Sequence, residues 1–373
     1  MTVGFFVFVI SAIGAWTGMH YYVFRSLAAI GMNRNLLTAA LWFLALTFPI
    51  TRLLTFRWRH PFLGVIHWIG AVWIGSVFLL SFWLFVAWVA RNILSIAGVN
   101  AAVDPAPWIA TTTAVVLAMI LWGLYRARSG PQHAYFEVDR YARYGKGRQL
   151  RVVQISDVHL GLTLGIGFLD SLVERINCIE PDVVFITGDF IDPEFPDDGA
   201  AAESLRKLRP REGTYAISGN HEFYAGIGRF MAMMGKAGIP VLDNEVKILS
   251  SGLQVAGIHD QTANRFSAQG ITCDLAKALV GVDRDAPSIL LAHQPKDLEP
   301  ATAKRIDLIL SGHTHAGQIF PFNAMVRMVY RYLGGVYRLG PDTELIVCTG
   351  TGFWGPPLRL GTESQIVVVD FKF

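Results

Sequence analysis

Ser311-Gly312-His313-Thr314-His315-Ala316-Gly317-Gln318 follows directly on Arg305-Ile306-Asp307-Leu308-Ile309-Leu310, whose apolar core reads as a buried strand ended by small residues. Two histidines at i and i+2 past a strand end share a side if the backbone stays extended. Gly312 and Gly317 leave the loop room to turn close to a bound group. Neutral imidazole is the commonest protein ligand for transition metals. Four further strand-like runs end in the same way, on Asp157-Val158-His159, Gly188-Asp189, Gly219-Asn220-His221-Glu222 and Ala292-His293-Gln294. Singly, Asp157 would pass for a turn former, Asn220 for a left-handed loop residue and His221 for a surface histidine. Five such loops in order, each at a strand end, read as one site.

The surrounding texture agrees. Residues 150–155, 182–187, 214–218, 288–291 and 307–310 read as strands, and 246–249 with 254–258 as a hairpin about Ser251-Gly252. Helical spacing marks 166–179 through Ile166, Leu169, Leu172, Val173 and Ile176, and helices are expected at 199–208, 226–237 and 271–280. Strands at 345–348 and 365–369 close the chain. Residues 149–373 are therefore expected to form a layered α/β domain with its ligands at strand C-termini.

Upstream the composition changes. Residues 1–129 hold one acid, Asp104, against eight arginines, a net of +7, and the remaining 244 residues carry a net of −4. The second part has no basic excess of the kind a general nucleic-acid binder needs, and no nucleic-acid partner is expected. Uncharged apolar runs at 1–24, 36–54 (interrupted by Pro49 and Arg52), 62–90 and 106–125 match the roughly 20 residues that cross a bilayer core. The first lacks the basic start and short apolar core of a cleaved signal, so a retained helix is expected. The reading is a transmembrane helical domain of about four spans over 1–128, a basic linker over 129–148, and the α/β domain over 149–373. The linker is expected along an anionic membrane surface or as a plain stop-transfer flank. Arg52, Arg57 and Arg59 would share a side with Arg126, Arg128, Arg140, Arg143, Lys146, Arg148 and Arg151, which places the large domain in the cytoplasm. His20 and His67, inside apolar runs, are expected to pack helices. Three cysteines, Cys178, Cys273 and Cys348, without C-x-x-C spacing, offer neither a disulfide framework nor a thiolate metal site.

Asp157, His159, Asp189, Asn220, His293, His313 and His315 offer seven oxygen or nitrogen donors. One ion would not use seven protein ligands and stay open to a substrate, whereas two ions sharing one carboxylate would. D-x-H, G-D-x-x-D, G-N-H-E, H-Q and G-H-T-H, in this order, resemble the calcineurin-like metallophosphoesterases over residues 150–371. The resemblance implies a layered sandwich and two divalent ions (manganese, iron, zinc or magnesium). Asp157, His159, Asp189 and His315 would hold one ion, and Asp189, Asn220, His293 and His313 the other. It implies metal-hydroxide attack on phosphorus, with His221 donating a proton to the leaving oxygen and Asp192 orienting His221. Glu222 is expected as a helix-start or supporting carboxylate, and His259-Asp260 as either loop polarity or a substrate contact.

Gly350-Thr351-Gly352-Phe353-Trp354-Gly355-Pro356-Pro357-Leu358-Arg359 resembles the membrane-associated bacterial branch of the family, with Phe353, Trp354 and Arg359 expected as one pocket wall, or as packing around a rigid Pro-Pro turn. That branch implies an inner-membrane enzyme cutting a phosphodiester or pyrophosphate, with the bilayer as partner and a lipid-linked substrate such as UDP-diacylglucosamine. An anchored phosphodiesterase for soluble nucleotides and a non-catalytic membrane sensor or scaffold remain alternatives.

Overall fold

The computed structural model describes residues 3–55, 61–99, 104–145, 147–266 and 270–373. Arg57, Arg59 and Lys146, which entered the charge asymmetry, lie outside the described residues. The chain divides into two compact units, Met1–Tyr125 with Gly355–Leu358, and Arg126–Trp354 with Arg359–Phe373.

The first unit holds α1 (Val3–Ala29), α2 (Arg34–Thr55), α3 (Pro61–Ile96) and all but the last three residues of α4 (Ala106–Arg128). Three of these, α2, α3 and α4, are long and apolar enough to cross a membrane by length and composition. The 27-residue α1 has Arg25 as its single charge and, at about 40 Å, exceeds a bilayer core. Leu36, Trp42, Leu53, Leu121 and Trp122 turn outward. Helices apolar on every side suit a lipid solvent. A side chain at Gly70 would stand 2.7 Å from the Phe48 backbone nitrogen, so glycine there lets α2 and α3 approach closely. Trp73 Nε1 donates to His20 Nε2 at 2.9 Å, and His67 Nδ1 lies 3.2 Å from Thr51 Oγ1. Both histidines join helices.

The second unit contains two sheets. One runs β1-β11-β2-β3-β4, from β1 (Gln132–Asp139), β2 (Gln149–Ile155), β3 (Val183–Thr187), β4 (Thr214–Ile217) and β11 (Gln365–Lys372). The other runs β5-β6-β7-β8-β10-β9, from β5 (Glu245–Ile248), β6 (Gln254–Gly257), β7 (Ser288–Leu291), β8 (Leu308–Ser311), β9 (Gly335–Arg338) and β10 (Glu344–Val347). Helices of the unit are α5 (Tyr141–Tyr144), α6 (Ile166–Asn177), α7 (Asp198–Leu205), α8 (Asn220–Ala225), α9 (Ile227–Ala237), α10 (Leu275–Val280), α11 (Glu299–Lys304) and α12 (Phe322–Val329).

Strands β2, β3 and β4 are parallel, as are β6, β7, β8 and β10. Their near-continuous apolar runs follow from burial on both faces. Val152, Phe185 and Ile217 from one sheet meet Val255, Leu291 and Leu310 from the other in a shared core. Leu169, Leu172, Phe230 and Met234 close the outer face of the first sheet, and Leu279, Leu298 and Ala301 that of the second. The result is a four-layer αββα sandwich in which β2, β3, β4, β7 and β8 end on the five donor-bearing loops.

The stretch 129–148 corrects the linker expectation. It contains β1, paired in parallel with β11 from Gln132↔Gln365 to Asp139↔Lys372. Arg143 Nη1 and Tyr144 Oη bind the fully buried Asp307 carboxylate at 2.8 and 2.9 Å, and Arg140 reaches Glu344 at 3.1 Å. Arg140 Nε also stands 3.5 Å from Asp307 Oδ1, so the two arginines expected to flank a membrane pair with a carboxylate that would otherwise be buried alone.

Candidate dinuclear metal site

The loops after β2 and β8 bring together Asp157, His159 and His315. His159 Nε2 and His315 Nε2 stand 3.2 Å apart, with Asp157 Oδ1 3.6 Å from the latter. The loops after β3, β7 and β8 bring together Asp189, His293 and His313, with His293 Nε2 3.2 Å from Asp189 Oδ2. Asp189 Oδ2 also lies 3.9 Å from His159 Nε2, so this carboxylate faces both groups. Asn220 opens α8 at the same edge and is buried.

His313 and His315 serve different groups, which corrects the extended reading of their loop. His313 has φ 71° and His315 φ 48°, and the chain coils into a short 3-10 turn, His315–Gly317. Asp157, His159 and Asp189 also adopt left-handed backbone, with φ between 50° and 54°. Asp, Asn and His visit this region more readily than other side chains, and its concentration here marks a strained site. Glycine makes room: a side chain at Gly219 would stand 2.2 Å from Asp189 Oδ1, and one at Gly312 2.3 Å from Asp157 Oδ2.

Second contacts set which nitrogen is free. His293 Nδ1 lies 2.7 Å from the Thr187 carbonyl, which can only accept, so Nδ1 carries a proton and Nε2 is the atom left to ligate. The carboxylate of Asp192 does the same for His159, whose Nδ1 is 2.9 Å from Oδ1. Burial opposes the charge of His293, but Asp189 holds the ring well above the ordinary histidine range, so an ion would displace the proton on Nε2. Asn220 Oδ1, His293 Nε2 and His313 Nδ1 are buried without a hydrogen-bond partner. Buried polar atoms are seldom left unpaired, and these three belong to a single predicted ion. Burial, and then His293, lowers His313 to about 4, while burial, His159 and Arg359 hold His315 well below the ordinary histidine range. Both imidazoles are neutral and ready to ligate. Asp157 and Asp189, with 0 % and 2 % exposure, bring negative charge that divalent cations would offset. The donor set fits two such ions. Its oxygen and nitrogen chemistry does not select one metal.

His221 stands beside this centre with Nδ1 2.7 Å from Asp192 Oδ1, the oxygen that also meets His159. Burial disfavours its charged form, but Asp189 and Asp192 outweigh that and raise it to about 9. Trp354, half exposed, and Tyr224 flank the ring edge-on at centroid distances of 6.0 and 5.4 Å. Glu222 is fully buried and accepts from the amides of Gly219, Asp189, Phe190 and Ile191. It clamps the Asp189 loop to the start of α8, the supporting role expected. Burial, then Asp189, raises its carboxyl to about 7.

Arg359 and Phe353 follow the packing alternative and not the pocket wall. Arg359 is 1 % exposed, and its guanidinium donates to the carbonyls of Thr349, Gly350 and Gly352. Phe353 is buried against Leu164, which leaves Trp354 as the wall. His259 is buried with Nδ1 2.8 Å from Ser218 Oγ, and Asp260 caps the 3-10 turn Gln261–Arg265. Tyr330 had no motif to reveal it. Its hydroxyl lies 2.7 Å from His313 Nε2 and donates to Gln294 Oε1 at 3.3 Å, and Gln294 Nε2 donates to Asp260 Oδ2 at 2.7 Å.

An αββα sandwich whose strand ends present two adjoining sets of imidazole, carboxylate and amide donors beside a carboxylate-held histidine defines a metallophosphoesterase. The chain belongs to the calcineurin-like phosphoesterase family, whose model matches residues 150–317. A Bos taurus transmembrane protein with metallophosphoesterase domain is 38% identical over 272 residues, 70% of this chain and 61% of the relative. A metallophosphoesterase of Helicobacter pylori is 37% identical over 220 residues, 59% of each chain. One from Aquifex aeolicus is 30% identical over 259 residues, 68% of this chain and 98% of the relative. The chain spans about three fifths of the first two of these relatives, at 61% and 59% of their lengths.

Proposed function

We propose that the protein is a membrane-anchored hydrolase that cleaves a phosphodiester or pyrophosphate bond with two divalent ions. The observation that carries this reading is the convergence of three unpartnered buried donor atoms, on Asn220, His293 and His313, beside the His221–Asp192 pair. Asp157, His159, Asp189 and His315 would hold one ion, and Asp189, Asn220, His293 and His313 the other. Bound there, such ions lower the pKa of water and draw charge from phosphoryl oxygens. The chain's own part is to orient and to move a proton. His221 Nε2 donates to the leaving oxygen, and Asp192 fixes the ring through Nδ1. Trp354 and Tyr224, each about half exposed, flank the ring that makes this transfer.

The substrate in this reading is lipid-linked, with a UDP-diacylglucosamine type as one candidate, and the catalytic unit faces the cytoplasm of a bacterial inner membrane. Three membrane-length apolar helices on the same chain support it. Tethering raises the local concentration of a substrate that lives in the bilayer.

The test is hydrolysis of bis-p-nitrophenyl phosphate and of a lipid pyrophosphate in mixed micelles, with manganese added to the purified full chain, wild type beside Asp189→Asn. Turnover lost in the variant, with preference for the lipid, is the expected result. Preference for soluble diesters and nucleotides would replace the lipid reading with the anchored nucleotide phosphodiesterase. Two ions bound with no turnover on any substrate would leave the sensor or scaffold reading.

A further inference from the structure

Immediately after the His313-His315 loop the chain forms α12, Phe322–Val329, and none of its residues is buried. Phe322, Met325, Val326 and Val329 recur at i, i+3, i+4 and i+7, the spacing of one apolar stripe. Such a stripe normally faces a core. Here Phe322, Met325 and Val329 are 40 %, 51 % and 76 % exposed, Val326 is half-buried, and Met328 at the margin of the stripe is 79 % exposed. Asn323 and Arg327 fall on the opposite side of the helix by the same periodicity. Arg331 and Arg338 follow, and from Leu308 to Pro341 there is no aspartate or glutamate. Asp297 and Glu299 border a cavity at the C-terminal end of α12, beside Val329 and Arg331, so the positive charge belongs to the helix's own stretch of chain. An exposed apolar stripe on a helix whose own charges are all positive is the composition of a helix that lies in a lipid–water interface. Anionic headgroups attract the arginines, and the acyl boundary takes the apolar side chains.

We propose that α12 seats its apolar stripe in the surface of an anionic bilayer, a membrane contact made by the catalytic unit itself in addition to the helices of the first unit. The bilayer is chosen over a protein partner because the described residues include three membrane-length helices and because the charges of the segment that carries the stripe, Arg327, Arg331 and Arg338, are all positive. The inference does not depend on which phosphoester is cleaved. It has a consequence for the site, because Tyr330, the residue that ends α12, touches His313. Docking would therefore hold a lipid surface next to the donor cluster.

The test uses the full chain in nanodiscs of phosphatidylcholine with phosphatidylglycerol, on a Cys178→Ser, Cys273→Ser background. An environment-sensitive fluorophore is attached at Met325→Cys or Val329→Cys, with Ser250→Cys, on an exposed turn, as the reference. At 325 and 329 we expect blue-shifted emission, quenching by doxyl-labelled lipid and loss of iodide quenching, with the reverse at 250. Iodide quenching at 325 and 329 as strong as at 250 would mean that the helix faces water, and the proposal fails. Shielding from both quenchers would mean that protein covers the stripe, and the proposal fails equally. Arg327→Glu with Arg331→Glu, or nanodiscs of phosphatidylcholine alone, should reduce the lipid quenching. Quenching unchanged in both would overturn the role given to charge.

Discussion

Tyr330 Oη lies 2.7 Å from Nε2 of His313, and that contact leaves the buried Nδ1 of the same ring as its only free donor atom. A hydrogen bond on one ring nitrogen sets the tautomer and aim of the other, and outer partners of this kind typically account for about 10- to 100-fold in metal affinity. Tyr330→Phe should therefore weaken binding of one ion by about that factor and leave the other nearly unchanged. Calorimetric titration of manganese into metal-stripped protein reads both. Two equivalents bound with wild-type affinity would show that the hydroxyl does not position His313.

Asp192 serves two rings at once, His159 at 2.9 Å and His221 at 2.7 Å. His221→Asn removes the proton donor alone and should lower kcat by about 10²- to 10⁴-fold with metal affinity intact. Asp192→Asn should lower kcat comparably and also weaken metal binding through His159. Because His221 and Asp192 act as a unit, the double variant should lose much less than the product of the two single losses. Steady-state kinetics beside metal titration separates these outcomes, and equal metal affinity in both single variants would contradict the shared role of Asp192.

His221 offers a pH test in metal-stripped protein. Its folded-state pKa of about 9 lies above the ordinary value of about 6.5. The raised value means that the charged ring stabilises the fold fully below about pH 6.5, and that this contribution is lost as pH rises through about 9. Against the effect of burial, Asp189 also holds His293 well above the ordinary histidine range. Histidine-selective NMR of the wild type beside His221→Asn is therefore needed to assign the signal, and the His221 ring should still be protonated at pH 8. Loading manganese places positive charge nearby and should move its titration to lower pH. A midpoint near 6.5 in stripped protein would exclude Asp189 and Asp192 as the groups that hold the charge.

Metal removal should also register as lost stability. The two carboxylates Asp157 and Asp189 are buried, and ions that bind only the folded chain add stability by mass action. An ion present at 100 times its Kd contributes about 2.7 kcal/mol. A chelator should lower the melting temperature of the catalytic unit, and added manganese should restore it. In Asp189→Asn, which lacks the carboxylate facing both groups, the chelator should have little effect. An equal drop in the variant would place the metal-dependent stability elsewhere.

Much of this protein is local, and so was legible residue by residue. Strands such as Val183–Thr187 and Leu308–Ser311 are unbroken apolar runs because both faces are covered, and the donors follow each run within a few positions. The apolar helices and the seven donors Asp157, His159, Asp189, Asn220, His293, His313 and His315 are readable for the same reason: composition and order along the chain carry them. Partner choice is not written that way. Strand Gln132–Asp139 is half polar and follows a basic flank, and only the free edge of Gln365–Lys372, more than 200 residues later, makes it a strand. Arg359 reads equally as a cation of the pocket wall and as packing around the Pro-Pro turn, until the carbonyls of Thr349, Gly350 and Gly352 surround it. The left-handed backbone at His313 and His315, which parts two neighbouring histidines between two groups, is held by contacts from other loops such as Asp157 and Tyr330. Periodicity records how deeply one element is buried. Which groups meet across elements depends on long-range packing, and at this centre that packing decided the tautomers, the strain and the residue that ties α12 to the site.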